Sequence, residues 1–203
     1  MTDRTCLIAP SILSGDFAAL GQSVKDAEKW GADWIHCDVM DGVYVKNMTF
    51  GMPMIKALRG VTELPLDVHL MITKPENYVE KFVDAGADIV TFHPEASQNP
   101  EGALKAIRAK GCRAGIALNP DIRFADWKHL VPLCDIIVVM SVYAGLGGQK
   151  FIPEMLDKVK EIKTYLDENG YDIPVEIDGG VGEGNAKTIR DAGVTVLVAG
   201  SAV

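Results

Sequence analysis

Short apolar segments alternate with longer segments of helical periodicity along this chain of 203 residues. Eight apolar segments are too short for a helix and apolar enough to be buried on both faces, which is typical of parallel strands. The predicted strands are Leu7–Ile12, Trp34–Met40, Leu66–Met71, Ile89–His93, Ala114–Leu118, Ile136–Ser141, Val175–Asp178 and Val196–Ala199. Between them, apolar residues recur at helical spacing, as at Phe17, Leu20, Val24 and Ala27, so the sequence predicts a β/α alternation.

Glycine-containing segments such as Gly31–Asp33 and Gly86–Asp88 end predicted helices just before a strand, where glycine suits a left-handed helix cap. Eight β/α units predict one α/β domain over residues 1–203, a (β/α)₈ TIM barrel, with an open doubly wound sheet as the alternative. Polar residues at the carboxyl ends of several strands favour the barrel, because barrel enzymes place their chemistry there. An eighth helix is absent from the sequence, so further residues or a partner would cover that face.

Composition excludes some classes of function. Hydrophobic residues make up 48% and charged residues 24%, as in ordinary globular proteins. The net charge of −8 argues against nucleic-acid binding and anionic membranes. No apolar run reaches about 18 residues and no signal peptide is recognisable, so we expect a cytoplasmic protein. The four scattered cysteines contain no Cys-x-x-Cys pair, which disfavours a zinc ribbon or a redox motif.

Histidine and aspartate side chains stand at the ends of three predicted strands. His36 and Asp38 end the second strand, His69 ends the third, and Asp178 ends the seventh. Residues two apart on a strand point to the same face, so these side chains can converge at one mouth of a barrel. Two imidazoles and two carboxylates suit one divalent metal ion (Zn, Fe, Mn or Co), although each alone could be an ordinary rim residue. Asp67 shares their face but lies deeper, as a support for a ligand or as a structural group.

Methionines and glycines surround the same strand ends. Met40, Met71 and Met140 either line a pocket or fill the core, and His93 and Glu95 could also face that pocket. Glycine-rich loops follow the last three strands, where barrels often bind a phosphate through backbone N–H groups, although turns need glycine too. The predicted phosphate-binding residues are Gly147, Gly148, Gly179, Gly180, Gly200 and Ser201.

Along essentially its whole length, the chain resembles the ribulose-phosphate 3-epimerase family. The matching segments are Ile8–Ser14, Trp34–Gly42, Leu66–Met71, Met140–Val142, Gly147–Pro153 and Glu176–Gly180. The resemblance implies a ribulose-phosphate-binding (β/α)₈ barrel. It also implies an isomerase that interconverts ketose phosphates differing at carbon 3, in a homo-oligomer that is commonly a dimer or a hexamer.

Residue by residue, the resemblance implies that His36, Asp38, His69 and Asp178 bind the metal. Asp38 and Asp178 would also be the acid/base pair, on opposite faces of a sugar phosphate. The implied substrate contacts are Ser11, Met40, Met71, Met140 and His69. Elementary chemistry agrees, because removal of a proton next to a ketone gives an enediolate whose charge a metal stabilises. The expected reaction converts D-ribulose 5-phosphate into D-xylulose 5-phosphate.

Two loops depart from the usual family pattern, and both surround the expected sugar site. Val43–Asn47 stands where His-Phe-Val-Pro-Asn is usual, and Tyr143–Leu146 replaces an Asn, Asp or Glu followed by Pro-Gly-Phe. The segment Phe92–Glu95 also resembles allulose-6-phosphate 3-epimerases, so D-allulose 6-phosphate or another ketose phosphate is the alternative substrate. Phosphosugar decarboxylases need an Asp-x-Lys-x-x-Asp motif, and His36–Asp41 lacks its lysine. Intact ligands argue against a non-catalytic phosphosugar-binding protein.

Overall fold

The computed structural model describes residues 6–200 and 202 of the chain. Its strands are β1 (Leu7–Pro10), β2 (Ile35–Met40), β3 (Leu66–Met71), β4 (Ile89–Phe92), β5 (Arg113–Leu118), β6 (Ile136–Met140), β7 (Val175–Asp178) and β8 (Val196–Ala199). All neighbouring strands in the sheet are parallel, in the order β1-β8-β7-β6-β5-β4-β3-β2.

The first strand closes this sheet into a barrel. On one side β1 pairs with β8. On its other side a parallel bridge joins Ser11 to His36, at the end of β1 and the start of β2. The amide of Asp33 also donates a hydrogen bond to the carbonyl of Ile8, at 2.9 Å. An open doubly wound sheet would leave two free edges, so the barrel prediction is confirmed.

Helices cover the outside of the barrel. The α-helices among the described residues are α1 (Leu20–Lys29), α2 (Met52–Arg59), α3 (Val79–Asp84), α4 (Pro100–Ala109), α5 (Phe124–Trp127), α6 (Met155–Glu168) and α7 (Glu183–Asp191). Short 3₁₀ helices occupy Ile12–Ser14, Pro75–Asn77, Pro94–Ala96 and Lys128–Leu133. In the described part of the chain no α-helix follows β8, as expected, and no helix is long and apolar enough to cross a bilayer.

Alternation along β2 and β3 separates the core from the site. Ile35, Cys37 and Val39 point outward and belong to the large apolar cluster beneath the helices. The intervening residues of β2 point into the barrel, because successive side chains on a strand face opposite ways. In the β2–β3 register, His36 stands opposite Asp67 and Asp38 opposite His69. Strand pairing therefore brings these four side chains together inside the barrel.

The amino-terminal end of the barrel interior is filled by apolar side chains. Trp34, Ile89, Ile136 and Val196 are buried together there, at or just before the start of their strands. This layer separates the polar interior from solvent at that end, as expected of a packed barrel core. A ligand could consequently reach the polar interior only from the carboxyl ends of the strands.

Two predicted boundaries were wrong by more than one residue. The first strand ends at Pro10 instead of Ile12, because the Ser11 hydroxyl accepts a hydrogen bond from the Leu13 amide and caps a 3₁₀ helix. Phe17 was placed on the first helix, but α1 begins at Leu20 and the Phe17 side chain is exposed. A turn in which Asp16 accepts a hydrogen bond from the amide of residue 18 precedes the helix instead.

Candidate active site

The four predicted metal ligands come from β2, β3 and β7 and converge inside the barrel. His36, Asp38, His69 and Asp178 each offer one ligand atom, and these atoms all lie within 4.8 Å of one another. Asp38 Oδ1 is 3.3 Å from both His36 Nε2 and His69 Nδ1. Asp178 Oδ2 lies 3.9 Å from His69 Nδ1. The arrangement provides two imidazole nitrogens and two carboxylates around one point.

Two buried carboxylates orient the His36 ring through its Nδ1 atom. Its Nδ1 lies 2.6 Å from Asp67 Oδ2 and 3.2 Å from Glu176 Oε1, and all three side chains are fully buried. A carboxylate only accepts, so Nδ1 carries a proton, and Nε2 is the ring nitrogen left to bind a cation once it gives up its own proton. Within the described residues Nε2 has no hydrogen-bond partner, and it faces the cluster. A buried nitrogen held this way suits a metal ligand, so the residues present fit a bound cation.

Burial and neighbouring charges determine the proton states of the cluster when no cation is bound. Burial works against a charged His36, but Asp38 and Asp67 together raise its pKa well above the usual value. Burial would also raise the pKa of Asp38, yet His36 and a hydrogen bond from His69 hold it far below its usual range. Burial and then the charge of Asp38 raise the pKa of Asp178 to about 7. Burial lowers the pKa of His69 to about 4. The two aspartates thus have different proton affinities in one site.

A cavity of about 260 Å³ opens directly above the cluster. Its floor and walls include six of the predicted site residues: Ser11, Asp38, Met40, Met71, Met140 and Asp178. The Ser11 hydroxyl donates a 2.6 Å hydrogen bond to Asp38 Oδ2, which fixes that carboxylate. His36 and His69 are fully buried and do not line the cavity. The structure therefore places the two histidines beneath the floor and the two aspartates at its surface.

The predicted phosphate-binding glycines line the same cavity. The lining includes Gly147, Gly148, Gly179, Gly180 and Gly200, whereas Ser201 lies outside the described residues. Gly179 and Gly180 have φ values of 121° and 63°, which side chains rarely adopt. A Cβ at Gly180 would also collide with the Phe151 backbone. Glycine is required here, and the backbone can approach a ligand closely.

Sequence reasoning missed three buried or half-buried polar residues near the site. Glu176 lies beside His36, and burial followed by the charge of Asp67 raises the pKa of Glu176 to about 8. Its position two residues before Asp178 on one strand was the available signal. Asn119 and Tyr44 come from loops after β5 and β2 and meet by a 2.8 Å hydrogen bond. No pattern in the sequence pairs those two loops.

Comparisons with known proteins agree with the geometry. The model of the ribulose-phosphate 3 epimerase family matches residues 7–203. A ribulose-phosphate 3-epimerase of Bacillus subtilis (strain 168) is 49% identical over 197 residues, which is 97% of this chain and 91% of the relative. Its namesakes from Synechocystis and Escherichia coli K12 are 46% and 47% identical, covering 98% and 97% of this chain and 88% of each relative.

Solved structures support the fold alone. A tryptophan synthase alpha-subunit variant from Pyrococcus furiosus superimposes with a TM-score of 0.73 at 14% identity, covering 98% of this chain and 88% of that one. The family match and the sequence identities over almost the full length show a family, whereas this structural likeness shows only a shared fold. The chain belongs to the ribulose-phosphate 3-epimerase family of isomerases.

Proposed function

We propose that this enzyme epimerises D-ribulose 5-phosphate at carbon 3 to give D-xylulose 5-phosphate, with a divalent cation at His36, Asp38, His69 and Asp178. The observation that carries the proposal is the pair of carboxylates, Asp38 and Asp178, at the floor of one cavity. The names of the relatives supply the substrate. Two groups that can move protons, placed on separate strands beside one substrate carbon, are what inversion by proton transfer needs.

The donor set suits Zn, Fe, Mn or Co, since imidazole and carboxylate ligands serve all four. When bound, the cation acts as a Lewis acid that stabilises the negative oxygens of the enediolate. The protein keeps the His36 ring in place through Asp67, and it keeps Asp38 in place through Ser11. Because these contacts fix the ligand side chains before a cation binds, cation binding requires little rearrangement.

Asp38 and Asp178 approach the substrate from different sides. Asp38 lies on β2 and Asp178 ends β7, and β1 and β8 lie between those strands on the shorter way around the barrel. One carboxylate removes the proton from carbon 3, and the other returns a proton to the opposite face. The roles exchange for the reverse reaction. No redox cofactor is needed, because only a proton leaves and returns.

Apolar side chains complete the proposed substrate site. Met40 and Met71 pack together with Val45, and Met140 lines the same cavity. Their thioethers would contact the planar enediolate and exclude water from it. The predicted substrate contact of His69 stays a proposal, since that ring lies beneath the cavity floor. Assembly into a homodimer or hexamer is likewise proposed.

The five-carbon and six-carbon substrates can be distinguished by direct comparison. We expect kcat/KM for D-ribulose 5-phosphate to exceed that for D-allulose 6-phosphate when the enzyme is assayed with each of Zn, Fe, Mn and Co. The segment Phe92–Glu95, together with the altered loops at Tyr44 and Tyr143, is the reason for including the hexulose phosphate. A higher kcat/KM for D-allulose 6-phosphate would replace the proposed substrate and keep the reaction. No epimerisation of either substrate with any metal would refute the proposed function.

Removal of the substrate phosphate should greatly reduce turnover. The glycine loops offer backbone N–H groups to a phosphate, and hydrogen bonds to charged groups contribute about 1.5–3 kcal/mol each. Two such bonds correspond to a kcat/KM for D-ribulose that is lower than the value for its 5-phosphate by a factor of ~10²–10⁴.

Gly180→Ala should lower kcat/KM for the phosphorylated sugar alone, because the φ angle of Gly180 is positive and the Phe151 backbone is close. Gly184→Ala, in open space on α7, is the control. Equal kcat/KM for the two sugars would disprove the phosphate site.

A further inference from the structure

A line of polar side chains runs from the metal ligand His69 to the rim of the barrel. His69 Nε2 lies 3.0 Å from His93 Nε2, and both rings are fully buried. His93 Nδ1 in turn lies 3.5 Å from Glu95 Oε1. His93 follows β4, which pairs with β3, so the two imidazoles stand side by side inside the barrel.

The order of protons along this line follows from hydrogen-bond chemistry. His69 Nδ1 faces Asp38 and Asp178, so when a cation is bound the Nδ1 lone pair is its ligand and the proton of His69 sits on Nε2. His93 Nε2 must then accept that proton's hydrogen bond, which places the proton of His93 on Nδ1. That N–H faces the carboxylate of Glu95, an acceptor. Each ring N–H along the line therefore faces an acceptor, and Asn119 Nδ2 also lies 3.4 Å from His93 Nδ1.

Three residues at the rim, here called the rim network, hold the outer end of the line: Tyr44, Glu95 and Asn119. The Tyr44 hydroxyl donates to Glu95 Oε1 at 2.8 Å, and Asn119 Nδ2 donates to the Tyr44 oxygen at 2.8 Å and to Glu95 Oε1 at 3.3 Å. Burial and then the charge of Glu95 raise the pKa of Tyr44, so its hydroxyl keeps the proton that it donates. The Tyr44 ring also lies 5.0 Å from the His93 ring, centroid to centroid.

The rim network is itself fixed by the backbone of three loops. Asn119 Oδ1 accepts a hydrogen bond from the Ala144 amide, which determines which end of its amide is Nδ2. The Lys158 ammonium, from α6, donates to the carbonyl of Asn119 at 2.6 Å and to two further carbonyls of the same loop. Asp41 accepts from the amide of Tyr44 at 2.9 Å. Asn119 and Tyr44 therefore have little freedom to move.

We infer that His93 is a positioning residue for the cation, which it affects through His69, and that the rim network holds His93 in the required tautomer and orientation. The inference rests on the proposed function, because it needs a cation at His69. A hydrogen bond behind a metal-binding histidine fixes its ring and strengthens its donor nitrogen, and loss of such a bond typically weakens metal affinity about 10–100-fold. Tyr44 occupies the loop that departs from the family pattern, so its hydroxyl is a feature of this chain.

The test measures cation affinity without turnover. Zn²⁺ is titrated into metal-free protein in competition with a chromophoric chelator. His93→Leu should weaken Zn²⁺ binding about 10–100-fold, and His93→Gln, whose amide oxygen can accept from His69 Nε2, should recover most of the loss. Tyr44→Phe removes only the hydroxyl and should weaken binding by a smaller factor. His129→Leu and Tyr78→Phe change a histidine and a tyrosine outside this line and should leave affinity unchanged.

Activity at increasing Zn²⁺ provides a second readout. In Tyr44→Phe and His93→Gln, saturating Zn²⁺ should restore kcat while KM for the sugar phosphate stays near the wild-type value, because only the cation site is perturbed. Wild-type affinity in a folded His93→Leu, or in Tyr44→Phe if His93→Leu does not fold, would overturn the inference and leave the proposed function intact. A wild-type protein that binds no divalent cation would refute the proposed cation site and this inference together.

Discussion

Asparagine in place of either Asp38 or Asp178 is expected to lower kcat for D-ribulose 5-phosphate by several orders of magnitude. Asparagine keeps the size of the side chain but cannot accept the carbon-3 proton. One acid/base group typically contributes 10²–10⁴-fold, and a weakened cation site would add to that loss. Asp157→Asn, an exposed carboxylate on α6, is the matched control and should retain full activity. Steady-state kinetics at saturating metal measures the effect.

Solvent exchange separates the roles of the two aspartates. Each asparagine variant should still exchange the carbon-3 proton of one epimer with deuterium oxide, since the remaining aspartate serves one face. Asp38→Asn and Asp178→Asn should favour opposite epimers, and proton NMR of D-ribulose 5-phosphate and D-xylulose 5-phosphate distinguishes them. If both variants keep their metal but lose exchange and epimerisation equally for both epimers, the two-base mechanism is wrong. A single base acting on both faces would then be preferred.

Loss of the two histidine ligands is expected to abolish metal binding. The double variant His36→Ala/His69→Ala removes both imidazoles from the cluster and leaves two carboxylates with no nitrogen donor. After loading with a divalent metal and removal of the excess, elemental analysis should find about one ion per wild-type chain and none in the double variant. Epimerase activity should fall to background in parallel.

The fourth histidine provides the control for this experiment. His129 lies in an exposed position beside Trp127, in the 3₁₀ helix Lys128–Leu133 and outside the ligand cluster, and His129→Ala should retain both metal and activity. Two results would contradict the proposal: no stoichiometric metal in carefully loaded wild-type protein, or full retention in the double variant. The first result would leave the chemistry to the protein groups alone, and the second would place the metal elsewhere in the protein.

The barrel could be predicted because its strands are visible in the sequence as short apolar runs. Buried parallel strands need unbroken apolar runs, and the bounds of β3, β7 and β8 match the predicted segments. The first strand was extended too far because Ile12 continues the apolar run while the Ser11 side chain caps a turn. A cap depends on one hydrogen bond, and a pattern of hydrophobic residues does not reveal it.

The cluster of metal ligands could be predicted from strand periodicity, whereas the loop residues that support it could not. Spacing of two residues on β2, with β3 alongside, was sufficient to bring His36, Asp38 and His69 together. The contact between Asn119 and Tyr44 joins residues 75 apart in sequence, on loops whose paths depend on packing across the barrel mouth. Loop conformations of that kind follow from tertiary structure, and sequence periodicity carries no information about them.

Pairing between the first and last strands has a consequence for how the protein folds. Leu7 stands opposite Val196, so β1 cannot complete its hydrogen bonds until the ribosome has made β8. Contacts between residues so distant in sequence slow folding, and strand edges stay exposed meanwhile. His36 and Asp178 are almost as far apart, so a cation that both bind would join the two halves of the sequence only in the closed barrel. Binding of such a cation would shift the folding equilibrium of newly made chains toward the native state by mass action.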